Sequence, residues 1–171
     1  SWVAKLIGKK KAFIVIFIIA IVSTAPVFFL GPDQLLLIYI LQITGSMTGG
    51  PLSVLIWAMY ADTADYGEWK RGRRATGLVF SASTMSQKFG WAFGAFVALT
   101  LMSQVGFSPN EIQSESSLTG LKALFTIIPS AFGILATIIV IFYPLNDKRV
   151  DQIVKELAER REKEENGQKT T

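Results

Sequence analysis

Cysteine and histidine are both absent from this chain of 171 residues. Without cysteine the chain can form neither disulfides nor thiolate metal sites. Without histidine it lacks the side chain that most often serves as an acid–base group or metal ligand near neutral pH. These absences exclude most routes to hydrolytic, zinc-dependent or thiol catalysis.

Charge is also scarce, since only 18% of the residues are charged, against about 25% in average domains. A bilayer core about 30 Å thick requires about 20 helical residues, and four charge-poor segments are long enough: residues 12–30, 34–61, 75–106 and 123–146. The predicted fold class is therefore all-α, a polytopic membrane protein with four transmembrane helices within 12–146.

The flanking charges predict the orientation. Lysine and arginine concentrate in residues 1–11, in the connection 62–74 and in the tail 147–171, whereas the connection 107–122 holds a single lysine. Because cytoplasmic loops carry the excess of basic residues, we expect both ends and the 62–74 loop to be cytoplasmic. The tail places Val150, Ile153, Val154 and Leu157 at helical spacing, which predicts an amphipathic helix.

Lys88 is the one charged residue between Ala75 and Asn110. A charge near the middle of a span costs about 3 kcal/mol or more and normally faces a cavity or a substrate path. Ser81, Thr84, Lys88 and Trp91 are spaced three, four and three residues apart, which places them on one helix face. The stripe predicts a cavity in which Thr84 and Lys88 donate hydrogen bonds and Trp91 stacks on a sugar. The alternative is a structural lysine paired with an acid from outside this chain.

The second predicted span contains Gly45, Gly49, Gly50 and Pro51 in its interior, with Ser53 nearby. Proline removes a helical hydrogen bond, and broken helices are typical of transporter binding sites. A simple kink stabilised by serine and threonine is the alternative.

In the 62–74 connection, Asp62 and Asp65 precede four basic residues, Lys70, Arg71, Arg73 and Arg74. One interpretation is a gate whose ion pairs close the inner side of a transporter. Another is a Mg²⁺-diphosphate site, although hard cations require several oxygen ligands and the chain has no second acidic motif of this kind.

Residues 59–96, MYADTADYGEWKRGRRATGLVFSASTMSQKFGWAFGAF, resemble the helix-ten to helix-eleven region of the glycoside–pentoside–hexuronide:cation symporters, in the major facilitator superfamily. The A-D-x-x-(D/E)-Y-G-E-x-K core is quite specific to that family. Residues 106–120, GFSPNEIQSESSLTG, resemble its outer loop before the last helix, and GKKK at 8–11 resembles the basic loop that enters helix nine. The resemblance covers nearly the whole chain, as the last four of twelve helices.

This resemblance implies a bacterial inner-membrane protein that couples sugar uptake to Na⁺ or H⁺, with Li⁺ possible, by alternating access. It implies a transporter without enzyme activity and without a bound cofactor. It implies a sugar and cation cavity with Lys88 and Thr84. Ser53 stands where a member of the family carries a cavity-facing tryptophan. The implied cytoplasmic gate comprises Asp62, Asp65, Tyr66, Arg73 and Arg74. The family's cation-binding acids lie in its N-terminal helices. The expected partners of this chain are therefore those helices of the same transporter, the sugar, the cation and the bilayer, and no nucleic acid is expected.

Two other functions stay open at this point. A small four-helix membrane protein could act as a dimer and export anionic compounds. A membrane-embedded transferase could use Asp62 and Asp65 with Mg²⁺.

Overall fold

The computed structural model describes residues 7–168, which are helical with short connections and, within that range, contain no strand. The α-helices of this range are α1 Lys9–Thr24, α2 Leu35–Ser46, α3 Gly49–Arg71, α4 Thr76–Gln104, α5 Glu115–Phe125, α6 Ile127–Ile141 and α7 Asp147–Gln168. Two 3₁₀ segments, Ala25–Phe29 and Pro32–Gln34, connect α1 to α2. The predicted all-α class is confirmed; residues 1–6 of the predicted basic loop and 169–171 of the tail lie outside the described residues.

The helix boundaries differ from those of the predicted spans. The second span divides into α2 and α3 at Met47 and Thr48, because Pro51 has no N–H to donate to the carbonyl four residues earlier. Beyond this break α3 continues to Arg71, so most of the predicted 62–74 loop is helical. The predicted outer loop 107–122 contains the start of α5, and a bend at Thr126 (φ −123°) separates α5 from α6.

Three helical stretches of the described chain are long and apolar enough to cross a membrane: Lys9–Phe29, Pro32–Arg71 and Glu115–Ile141. Helix α4, with 29 residues, is long enough but is not one of them. Its first half carries the hydroxyl, amide and ammonium groups of residues 81–88, which lower its mean hydropathy. Its role as a further span stays a prediction.

The main core lies where α1 packs against α3 and α6. Its buried side chains are Ala12, Phe13, Ile16, Leu55 and Met59. A smaller cluster forms where α7 packs on α3, with Leu145, Val150, Ile153 and Leu157 buried against Tyr66 and Trp69. The predicted amphipathic tail is thus a helix whose apolar face is covered by α3, except that Val154 is 46% exposed.

Helix α4 has a different environment from its neighbours. It packs against α3 and α5, yet none of its residues is buried. Gly90 and Gly94 lie where the sequence allows a close helix approach, and a Cβ added at either would meet no other part of the described chain within 4 Å. The polar stripe and the apolar faces of α4 are therefore open to a partner.

Candidate functional site

Lys88 lies on an open groove of about 500 Å³ along α4. The groove is lined by Phe80, Ser81, Thr84, Met85 and Lys88. The helical repeat brings these side chains together, because residues three and four apart lie on one face of a helix. We call this set the Lys88 groove. It confirms that Ser81, Thr84 and Lys88 share one exposed face.

The groove offers both a donor and an acceptor. Lys88 is exposed and forms no ion pair with any residue in the range 7–168, so its ammonium group can bind a ligand. The Thr84 hydroxyl donates its hydrogen to the Phe80 carbonyl at 2.9 Å. A hydroxyl has one hydrogen and two lone pairs, which leaves Thr84 as an acceptor. The expectation that Thr84 donates to a ligand stays a prediction.

Ser53 and Trp91 do not line the Lys88 groove. The Ser53 hydroxyl lies on α3 and donates to the Gly49 carbonyl at 3.0 Å. Trp91 is 75% exposed, one turn beyond Lys88 on α4. A different tryptophan supports the groove: the Trp57 ring stacks on Phe80 with 5.7 Å between ring centroids and 11° between planes. This contact between α3 and α4 could not be read from the spacing within either helix.

A second polar site lies at the start of α1, around Asp62. The Lys9 Nζ atom is 2.6 Å from Asp62 Oδ1 and 2.5 Å from Oδ2. Asp62 is only 9% exposed, so this ion pair is largely shielded from water. Lys9 stands in the basic stretch that was predicted to be a loop, and its pairing with Asp62 was not predicted.

Asp147 joins the same site from the start of α7. Its carboxylate accepts from the Lys9 backbone N–H, with both oxygens at 3.1 Å. An acid at this position satisfies a free N–H of α1 and lies at the positive end of its helix dipole. Gly8 allows this approach, because its φ is +89° and a Cβ there would overlap Asp147 Oδ2.

Lys10 and Tyr143 connect the site to α6. The Lys10 ammonium donates to the carbonyls of Ile141 at 2.8 Å and Tyr143 at 2.7 Å, at the C-terminal end of α6. The Tyr143 hydroxyl lies 3.3 Å from the Met59 carbonyl of α3. These contacts bring the start of α1, the interior of α3, the end of α6 and the start of α7 together, and we call the set Lys9, Lys10, Asp62, Tyr143 and Asp147 the Asp62 cluster.

The C-terminal end of α3 is bound to α7 by its neighbouring residues Glu68 and Trp69. Glu68 accepts from Arg161 at 2.8 Å and lies 3.8 Å from Arg74. The Trp69 indole N–H donates to Glu156 Oε2 at 2.5 Å. The Arg149 guanidinium lies 5.3 Å from the Trp69 ring centroid, within cation–π range.

The predicted gate residues therefore have several different roles. Asp62 pairs with Lys9 and not with the arginines that follow it in sequence. Tyr66 stacks near Trp69, with ring centroids 6.0 Å apart. Asp65 and Arg73 form no ion pair with another residue of the described range. The sequence contains the adjacent Glu68 and Trp69 and predicts the amphipathic tail, but it does not indicate that these two segments are in contact.

The described part of the chain contains no group of three acidic, histidine or cysteine side chains that could hold a metal ion. Asp62 and Asp65 lie on one helix, but the Asp62 carboxylate already forms an ion pair with the Lys9 ammonium. This arrangement offers no support for the Mg²⁺ interpretation of the acidic pair.

Comparison with known proteins shows that this chain is similar to proteins named as importers, carriers and transporters. The family model described as MFS/sugar transport protein matches residues 1–147. A protein of Escherichia coli K12 named "Putative sulfoquinovose importer" is 41% identical over 111 residues, which cover 64% of this chain and 24% of that protein.

Two further relatives match over more of the chain. The glucuronide carrier protein homolog of Escherichia coli K12 is 29% identical over 155 residues, 91% of this chain and 34% of its own length. The isoprimeverose transporter of Lactiplantibacillus pentosus is 33% identical over 166 residues, 95% of this chain and 34% of its own length. The chain thus spans about a quarter to a third of the length of these relatives.

Proposed function

Since the chain belongs to the MFS/sugar transport protein family, we propose that it forms the C-terminal part of a secondary active transporter. This transporter symports a glycoside, pentoside or hexuronide with Na⁺ or H⁺ by alternating access. The names of the relatives, which include a glucuronide carrier homolog and an isoprimeverose transporter, support a sugar as the substrate. The relatives are about three times as long as this chain, which supports a part of a larger transporter and not a four-helix dimer.

The observation that carries this proposal is the Lys88 groove. In the proposed transporter α4 is a further membrane span, and an ammonium group within a span is costly unless it faces water, a ligand or a counter-charge. Lys88 has no acidic partner within residues 7–168, and Thr84 beside it presents acceptor lone pairs. A sugar hydroxyl both donates and accepts, so it matches this pair; a sugar carboxylate would match Lys88 alone.

The Asp62 cluster supports the proposal in a second way. Alternating access is largely a rigid-body movement of one bundle against another, so the helices of each bundle must stay together. The Lys9–Asp62 pair and the Asp147 contact join the start of α1 to α3 and to the start of α7, and they brace the bundle internally. The inner gate itself then depends on groups that have no ion-pair partner within the described range, namely Asp65 and Arg73, which would contact the rest of the transporter.

The same proposal sets the location. The distribution of lysine and arginine favours a multi-pass membrane protein with the Asp62 cluster and α7 on the cytoplasmic side, and the bacterial relatives support the bacterial inner membrane as its location. The exposed faces of α4 would then be covered by the N-terminal helices of the same transporter, whose acids would bind the coupling cation.

Transport by the full-length protein in proteoliposomes tests this function. Radiolabelled galactosides, pentosides and glucuronides are supplied with an imposed Na⁺ gradient, an imposed proton gradient or neither. We expect one class of sugar to accumulate, and only when one of the two gradients is present. Accumulation of no sugar under any gradient, in vesicles that contain folded protein, would contradict the proposal.

A further inference from the structure

A cavity of about 670 Å³ lies at the opposite end of the bundle from the Asp62 cluster. It is formed where the connection between α1 and α2, the start of α2 and one face of α5 meet. Its lining is mainly apolar, with Val27, Ile38 and Phe125 among the contributors, and its two charged lining residues are Glu115 and Lys122. Neither the Lys88 groove nor the Asp62 cluster includes a residue of this cavity, which we call the outer groove.

The two charges of the outer groove are separate from each other and from other charges. Glu115 and Lys122 are two turns apart on the same face of α5, with a rise of about 10 Å between them. Neither is buried, and neither forms an ion pair with a residue of the described range. Lys122 Nζ donates one hydrogen bond, to the Leu30 carbonyl at 3.1 Å, which leaves two N–H groups of its ammonium for a ligand.

The groove has a definite order along the bundle axis. Lys122 is held at the level of Leu30, which ends the charge-free stretch 12–30. Val27 lies one turn before Leu30, and Phe125 lies one turn beyond Lys122 towards α6. Glu115 begins α5 at the other end. From the predicted membrane interior outwards, the groove therefore presents an apolar surface, then an ammonium group, then a carboxylate.

We propose that the outer groove binds one phospholipid with a primary-amine headgroup, phosphatidylethanolamine, from the outer leaflet. An acyl chain would lie on Val27, Ile38 and Phe125, the phosphate on Lys122, and the headgroup ammonium on Glu115. Along this lipid, the acyl chains, the phosphate and the ammonium group follow in the same order as the apolar surface, Lys122 and Glu115 follow along the groove. Phosphatidylglycerol carries no cation for Glu115. The inference rests on the proposed membrane orientation and not on which sugar is transported.

Native mass spectrometry of the full-length protein in mild detergent tests this site. The protein is incubated with equal amounts of phosphatidylethanolamine and phosphatidylglycerol of matched chains. We expect the wild type to retain phosphatidylethanolamine in preference by about three- to fivefold, the size of one partly exposed charge contact. Glu115→Gln should reduce this preference to about one, since it removes the carboxylate and keeps the Lys122 contact with Leu30.

Two further variants make the result specific. Lys122→Gln should lower retention of both lipids, because both carry the phosphate. Glu111→Gln removes an exposed acid of the same connection that does not line the groove, and it should behave as wild type. Gel filtration verifies that each variant is folded.

Equal retention of the two lipids by the wild type, no retention of either, or an unchanged preference in Glu115→Gln would each overturn the proposal. If another part of the transporter fills the groove, neither lipid would be retained. A lipid preference without any sugar transport would leave the site in place and overturn the proposed function, so the two can fail separately.

Discussion

The Lys9–Asp62 ion pair should be a principal stabilising contact at its end of the bundle, and Asp62→Asn tests this. The substitution keeps the size of the side chain and removes its charge. Lys9 then loses its counter-charge while its ammonium stays within 3 Å of the substituted group, as the wild-type distances of 2.5 and 2.6 Å imply. No cavity is created, so the effect reports on the charge.

The expected magnitude follows from the burial of the pair. Removing one partner of a buried ion pair costs about 3–5 kcal/mol, mainly because the other charge is left uncompensated. The Lys9 side chain is 26% exposed and that of Asp62 11%, so water reaches the lysine and reduces the cost. We expect the free energy of unfolding to fall by about 2–3 kcal/mol, a change of about 30- to 150-fold in the unfolding equilibrium.

The assay is reversible unfolding of the full-length protein in mixed micelles, followed by far-ultraviolet circular dichroism. Asp33→Asn is the matched control, because Asp33 is exposed, has no assigned role in the gate and forms no ion pair within the described range; its effect should be below about 0.5 kcal/mol. In a double-mutant cycle, adding Lys9→Met to Asp62→Asn should recover part of the loss. Equal effects of the two aspartate substitutions would refute the reasoning.

Two further contacts give predictions of the same kind. Gly8→Ala should lower the free energy of unfolding by about 2 kcal/mol, since it places a Cβ at positive φ and against Asp147. The control Gly72→Ala, at φ +67° in open space, should lower it by only about 1 kcal/mol. Equal effects of the two substitutions in unfolding titrations would contradict the clash with Asp147. Trp69→Ala removes the bond to Glu156 and part of the cover of α7, so limited proteolysis should cleave α7 several-fold faster than in wild type; an unchanged cleavage rate would show that α7 is held by other contacts.

The sequence was sufficient for the features that depend on local spacing. The stripe of Ser81, Thr84 and Lys88 follows from the helical repeat, and the structure places these residues on one groove. Pro51 marked the place where the second span is interrupted, but the choice between a kink and a division into α2 and α3 came from the structure. The helical tail follows from its apolar spacing, because one covered face is enough to specify a helix of this kind.

The contacts between distant segments could not be predicted in the same way. Lys9 and Asp62 are 53 residues apart, and nothing in their local sequence selects Lys9 over the four basic residues that follow Asp62 in the same connection. The hydrogen bond from Thr84 to the Phe80 carbonyl was not predicted, because it is made within the helix and a spacing argument does not include the direction of a hydroxyl. The boundaries of α3 and α5 were missed since charge patterns locate membrane boundaries, and helices can extend beyond them.

The most direct test of the account is sugar uptake by cells that express the full-length transporter with Lys88→Ala, beside the wild type and Lys155→Ala. Lys155 is an exposed lysine of α7, remote in sequence from the groove, so its removal controls for the loss of a positive charge. At equal amounts of protein in the membrane, we expect Lys88→Ala to reduce uptake at least tenfold, about 1.4 kcal/mol of lost binding, and Lys155→Ala to retain it. Undiminished uptake in Lys88→Ala would contradict the assignment of the Lys88 groove as the sugar site.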